Sequence, residues 1–300
     1  MLGGKHTQPT QRREGAERSR DERSTMDEVQ PQIPPQDTPP PLDGPPTEAW
    51  ESPPAPWALR DLFLLLVFVP IAFFIANILV FLGYALIQPT LHWHMTKEKL
   101  ASDPFFLLAL QTVFYVLMFA GIYVLVTVGH NQPFWDMLRW RRITPGKALV
   151  FLAGGAFLTV AIALLPPVLP DAGQFPLENL FNSRTAAYAI GVFAILGAPL
   201  MEEIIFRGVL FGIFEAQVGL RFAILTTAIL FGGLHVPEYW GAWNHALLIF
   251  FVGLVFSLAR GRSGSLAPSV FLHVGYNASM MIALFISTQH FRNLNACLGP

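Results

Sequence analysis

An all-α, polytopic transmembrane helix bundle of about seven spans (six to eight), preceded by a disordered tail, is the fold class this sequence predicts. Three observations carry that expectation. Of 300 residues, 53% are hydrophobic and 13% charged, where a soluble domain carries about 25% charged residues. From Trp57 onward, apolar runs of about 20 residues recur, the length that crosses a bilayer as helix. Before Trp57 the composition is opposite: "PPQDTPPPLDGPPTEAWESPPAP" has too little apolar surface to offset its ordering entropy and favours extended, polyproline-like backbone.

Residues 1 to 56 are therefore expected to form a solvated, Pro-rich tail whose partner, if it has one, the sequence does not name. Met1 and Met26 both remain open as the start. No apolar h-region occurs from Met1 to Trp50, so the first long apolar run is expected to be a retained transmembrane helix.

The bundle, residues 57 to 290, is read as spans Leu62 to Ile87, Phe105 to Val128, Ala148 to Val168, Ala186 to Phe214, Phe222 to Val236, Ala242 to Ala259 and Leu266 to Ser287. The fifth and sixth are short or polar for lipid-facing helices, which predicts that they are buried among the others or cross only partly. Arg139, Arg141, Arg142 and Lys147 join spans two and three, Arg221 joins four and five, and Arg260 and Arg262 join six and seven. The opposite loops hold Lys97, Lys99 and Arg184 among Glu98, Asp103, Asp171 and Glu178. The positive-inside rule then places the first set and the N-terminus in the cytoplasm and the C-terminus outside. Trp135, Trp140, Trp240 and Trp243 flank span ends, where amphipathic rings suit the headgroup layer.

A net charge of −1 and the lack of any nucleic-acid-binding motif argue against a nucleic-acid partner. With the single cysteine Cys297, no disulfide and no cysteine metal site can form within one chain, and "CLGP" fits a prenylation box poorly.

The charges inside apolar spans need another explanation, because each costs about 2.5–3.5 kcal/mol at mid-bilayer on the insertion scale. In "APLMEEIIFRGVLFG", Glu203 and Arg207 stand at i, i+4 and can neutralise each other. Glu202 projects about 100° away on the helix and is left to face a polar cavity. Pro199 cannot donate to the Ile195 carbonyl and should kink or loosen the helix just ahead of the glutamates.

In "FGGLHVP", Phe231 and His235 share a face, and in "HVGYNAS" so do His273 and Asn277. Taken singly, His235 reads as a satisfied core residue and the His273/Asn277 pair as an interhelical hydrogen bond. Taken with Glu202, they match the inventory for activating water within a membrane: a base, imidazoles to hold the water or a metal, and an amide for a developing oxyanion. His245, beside Asn244 and Trp243, is read as interfacial, and His92 and His94 as a chance pair rather than a metal site.

EExxxR (Glu202, Glu203, Arg207), FxxxH (Phe231, His235) and HxxxN (His273, Asn277), in this order and with "GSLAPSVFLH" before the last, resemble the CPBP family, the CAAX prenyl endopeptidase and bacteriocin-processing (Abi) membrane proteins. The resemblance covers residues 185 to 285. It implies an intramembrane (metallo)endopeptidase, CAAX protease-like, acting on membrane-associated proteins or peptides, in the plasma membrane of a bacterium. It implies Glu202, His235, His273 and Asn277 as catalytic residues, Asn277 and His273 serving the oxyanion. Glu203, Arg207 and Phe231 are implied to be structural or substrate-orienting. Zn2+ held by Glu202, His235 and His273 and a metal-free, glutamate-activated water are both left open, since a glutamate that ligates zinc does not easily serve as the base. A non-enzymatic scaffold or bacteriocin-immunity protein of the same fold is the alternative, and a transporter would need an internal repeat that is not seen. The motif positions in spans four and seven suggest that substrate approaches from the cytoplasmic side.

Overall fold

The computed structural model describes residues 57–91, 96–164, 180–181, 183–237 and 243–294. The tail 1–56, His92, His94, Asp171, Glu178, Trp240 and Cys297 lie outside the described residues, as do the side chains of Lys97 and Glu98. Among the described residues there is no strand. The helices are α1 (Leu59–Leu91), α2 (Lys97–Ala101), α3 (Pro104–Gly129, ending in a π-helical turn), α4 (Phe134–Met137) and α5 (Pro145–Ala163). They continue with α6 (Arg184–Val218), α7 (Leu220–Leu234), α8 (Trp243–Ser263) and α9 (Leu266–Ser287).

Six of these, α1, α3, α5, α6, α8 and α9, are long and apolar enough to cross a membrane, and the protein is an integral, multi-pass membrane protein. Outward side chains such as Phe63, Phe74, Leu86 and Phe157 are exposed apolar surface, as a lipid-facing bundle requires.

The fifth expected span is α7, with 15 residues; that length rises about 22 Å against a hydrocarbon core of about 30 Å, so it crosses only partly. It is not enclosed, because Phe222, Leu225 and Ile229 on its outer face are exposed. The sixth expected span is not short: α8 has 21 residues and runs on through Arg260. Arg260 does not belong to a loop. It is buried, its Nε donates to the Arg207 carbonyl at 3.0 Å, and its guanidinium lies 5.0 Å from the Phe211 ring centre. These contacts let the helix carry a charge for one more turn.

Helix starts follow local chemistry. Asp103 Oδ1 accepts from the Phe106 N–H at 2.8 Å ahead of α3, Thr144 caps α5, Ser183 caps α6 and Ser265 caps α9. Pro104 and Pro145 occupy first turns, where no N–H is required. Between α6 and α7 the chain reverses at Gly219, whose φ of 92° suits glycine.

In lipid, helices associate by close packing rather than by hydrophobic transfer, and small residues permit it. A Cβ on Gly155 of α5 would run into the Leu272 carbonyl of α9, and one on Gly275 into the Leu152 carbonyl. The two backbones therefore lie against each other. The main core gathers Met118 and Ile122 of α3, Leu138, Ile204 and Ile213 of α6, and Leu266 of α9, all fully buried.

One end of the bundle collects the basic loops. Arg139 pairs with Glu215 near the end of α6 at 2.8 Å, its carbonyl accepts from the Leu266 N–H, and the Arg141 N–H donates to Ser265 Oγ. The loops before α5, after α6 and before α9 thus meet at one corner.

Candidate active site

Residues of the three sequence motifs are positioned by α6, α7 and α9. In α6 the α-helical hydrogen bonding changes twice. A π-helical turn, Phe193–Gly197, comes just ahead of Pro199, and a second, Ile204–Leu210, follows the glutamates. The first bears out the loosening expected of Pro199, and the second was not visible in the sequence. In the first turn the Ala198 N–H reaches back five residues to the Phe193 carbonyl. The next donor in that register would be residue 199, a proline with no N–H. The carbonyl it leaves, that of Ala194, is met from α9: Asn277 Nδ2 donates to it at 2.7 Å. Replacing Asn277 by Leu is expected to destabilise the protein by about 0.5–1.5 kcal/mol, the net contribution of a hydrogen bond, measurable as a lower unfolding temperature in detergent.

The two adjacent glutamates have unlike surroundings. Glu203 is fully buried; its Oε1 accepts from Arg207 Nη1 at 2.9 Å and lies 3.0 Å from His273 Nδ1. The expected neutralisation of Glu203 by Arg207 holds. Arg207 is fully buried too, donating from Nη2 to the Gly253 carbonyl at 2.7 Å and from Nε to Ser257 Oγ at 3.3 Å. Its guanidinium lies 4.5 Å from the Phe231 ring centre, and that ring packs edge-on against His273 and Phe206. Phe231 is thereby a wall between the ion pair and the cavity. Gly253 belongs to the same fit: a Cβ there would stand 2.9 Å from the Phe231 ring and 3.3 Å from Arg207 Nη2.

Glu202 is the glutamate that faces open space. Its side chain is 20% exposed, and Oε2 lies 3.8 Å from His273 Nε2. It lines a cavity of about 410 Å³ together with Phe231, His235, His273 and Asn277. The fold thus brings the proposed catalytic residues to one cavity, while Glu203 and Arg207 stand behind its wall.

Hydrogen bonds fix the two imidazoles. An ionised carboxylate only accepts, so His273 Nδ1 is the donor to Glu203, and Nε2 turns to Glu202. His235 Nδ1 lies 2.8 Å from the Phe231 carbonyl, also an acceptor, which leaves Nε2 for the cavity. His235 caps the C-terminus of α7, so this short helix ends where the cavity begins.

Sequence reasoning missed two residues. His245, read as interfacial, lines the same cavity from the first turn of α8, where its Nδ1 lies 3.0 Å from Asn244 Oδ1. Tyr115, on α3, donates its hydroxyl to Glu202 Oε1 at 3.1 Å. The signal for His245 was its apolar neighbourhood; for Tyr115, it was a phenol within a span otherwise rich in Leu, Val and Phe.

Three helix ends also line the cavity. Ala163 at the end of α5, His235 at the end of α7 and His245 at the start of α8 line it. Each of these helix ends lies opposite the corner where the basic loops meet. The cavity therefore belongs to the half of the bundle away from those loops.

Comparison with known proteins finds likenesses that include the segment carrying the site. Residues 184–279 match the family model described as type II CAAX prenyl endopeptidase Rce1-like, consistent with the CPBP resemblance of the motifs. The chain is 26% identical over 249 residues to the uncharacterised protein YyaK of Bacillus subtilis (strain 168), covering 78% of this chain and 79% of YyaK. It is 39% identical over 125 residues to an uncharacterised 24.3 kDa protein of Escherichia coli, covering 40% of this chain and 56% of that protein. It is 31% identical over 91 residues to the "Putative membrane peptidase YdiL" of Bacillus subtilis (strain 168), covering 30% of this chain and 35% of YdiL. No solved structure matches the chain.

Proposed function

We propose, on the premise that residues 184–279 belong to the Rce1-like family of type II CAAX prenyl endopeptidases, that this protein is an intramembrane endopeptidase. Its substrates are membrane-associated proteins or peptides, hydrolysed by a water that Glu202 activates. One observation carries the reading: of two adjacent glutamates, Glu203 is held by Arg207 and His273, whereas Glu202 turns into the cavity shared with His235, His273 and Asn277.

The chemistry follows from these groups. Water hydrogen-bonded to Glu202 gives up a proton to the carboxylate as its oxygen adds to the scissile carbonyl carbon. His235 Nε2, fixed by the Nδ1 contact to Phe231, orients that water. The carbonyl oxygen becomes an oxyanion, for which Asn277 retains the amide hydrogen not engaged by Ala194. The tetrahedral carbon then expels the amine, which takes the proton back from Glu202. Apolar side chains of the lining, Leu248, Ile249 and Val252 among them, lower the local dielectric and strengthen each of these interactions.

A resident zinc is not needed for these steps. Both histidines have Nδ1 held by an acceptor and Nε2 in the cavity, as metal-ligating histidines do. However, among the described residues no three His, Cys, Asp or Glu side chains converge closely enough to hold a metal ion. The side chains as placed do not fit a three-ligand site. By the positive-inside rule the basic corner belongs on the cytoplasmic face of a bacterial plasma membrane, together with the N-terminus.

The test is cleavage of a membrane-anchored reporter library by purified protein in lipid vesicles, wild type against His235→Ala, with metal content and chelator sensitivity measured on the same preparation. Wild type is expected to cleave, His235→Ala to lose roughly 100-fold or more, and a chelator to have no effect. Equal cleavage by both proteins would remove His235 from the mechanism. Loss of activity with chelator, restored by zinc, would replace the metal-free reading.

A further inference from the structure

We infer that Tyr115 of α3, which lies outside the segment matched to the family, is a positioning residue for Glu202; this rests on Glu202 being the base of the proposed reaction. An ionised carboxylate cannot donate, so in the 3.1 Å contact the phenol is the donor and Glu202 Oε1 the acceptor. With Oε1 engaged, Oε2 is the oxygen turned towards His273 Nε2. A glutamate side chain otherwise has three rotatable bonds, and the buried Arg207 guanidinium one turn along α6 is a competing attraction. The phenol holds the carboxylate away from that cation and at the cavity.

Tyr115 can do this because it is itself fixed. Its ring is buried and stacks on Phe193, centroids 5.8 Å apart and planes within 13°. Phe193 is the first residue of the π-helical turn whose Ala194 carbonyl is held by Asn277. A single packed unit, running from α3 through the π turn to α9, therefore sets both the carboxylate and the amide that line the cavity. Loss of the hydroxyl keeps the ring for the stack on Phe193 and releases the Glu202 carboxylate, so its consequence falls on the chemical step. A misplacement of about 1 Å at a reacting group costs up to roughly 100-fold in rate.

The experiment compares wild type, Tyr115→Phe, Tyr115→Leu and Glu202→Gln in the vesicle reporter assay, with unfolding temperature measured for each. Tyr115→Phe is expected to lower kcat roughly 10- to 100-fold, with KM within about twofold of wild type and an unchanged unfolding temperature. Tyr115→Leu, which also loses the stack on Phe193, is expected to show the same fall in kcat together with a lower unfolding temperature. Wild-type kcat in Tyr115→Phe would overturn the inference, as would a loss confined to KM or one matched by a fall in unfolding temperature. Glu202→Gln separates the two levels. If it is inactive while Tyr115→Phe is normal, the base assignment stands and the positioning role falls; if Glu202→Gln cleaves like wild type, both fall.

Discussion

Replacing Glu202 by Gln is expected to lower kcat for reporter cleavage by roughly 100- to 10,000-fold, the range contributed by a positioned general base, while leaving the protein folded. Glutamine has nearly the same shape, and its amide oxygen still accepts from Tyr115, so the cavity wall should stay as it is. What disappears is the ability to take a proton from water. No buried cation loses its counter-charge, because Arg207 is paired with Glu203 and not with Glu202. The adjacent substitution Glu203→Gln supplies the contrast: it weakens the acceptor for Arg207 and His273 and should appear as loss of folded protein before any loss of chemistry. Two neighbouring glutamates thus separate catalysis from folding in a single pair of variants. Full activity of Glu202→Gln would remove Glu202 as the base, whereas a wild type that cleaves no reporter would leave the non-enzymatic scaffold or immunity protein in place of the hydrolytic reading.

Much of this arrangement was legible in the sequence because it depends on helix periodicity and the bilayer's tolerance for charge. The i, i+4 spacing of Glu203 and Arg207 left Glu202 as the carboxylate with a different direction, and the structure places it so. Pro199 marked the loosened turn, although the sequence could not show that Asn277, on another helix, would meet the carbonyl it leaves. Contacts of this kind join residues far apart in the chain and have no periodic signature. Tyr115 and Glu202 are 87 positions apart, and a phenol in an apolar span reads equally well as packing. Arg260 misled the placement of span six for a related reason. A basic residue near a span end normally marks a loop, but this one is buried against the Arg207 carbonyl and the Phe211 ring.

Arg207→Ala is expected to destabilise the protein by about 3–5 kcal/mol, the cost of leaving one member of a buried ion pair without its partner. The guanidinium joins α6 to α8 through the Gly253 carbonyl and Ser257, to α7 through the face of Phe231, and to α9 indirectly through Glu203 and His273. Truncation removes all of these at once and strands Glu203 where no water can reach it. Lysine should not rescue it, because an ammonium lacks the planar fork that serves Glu203, Gly253 and Ser257 together. If unpaired charge is the cause, removing both charges should cost less than the two single changes added. The double variant Glu203→Leu/Arg207→Met is therefore expected to unfold at a higher temperature than Arg207→Ala, although His273 Nδ1 then loses its acceptor and activity should not return. Unfolding temperature in one detergent, followed by tryptophan fluorescence and by retention of a monodisperse peak, measures the series. An Arg207→Ala protein that unfolds with wild type would show that packing alone holds α6 against α7 and α8. A double variant no better than the single one would place the loss in Arg207's packing and hydrogen bonds rather than in the charge left on Glu203.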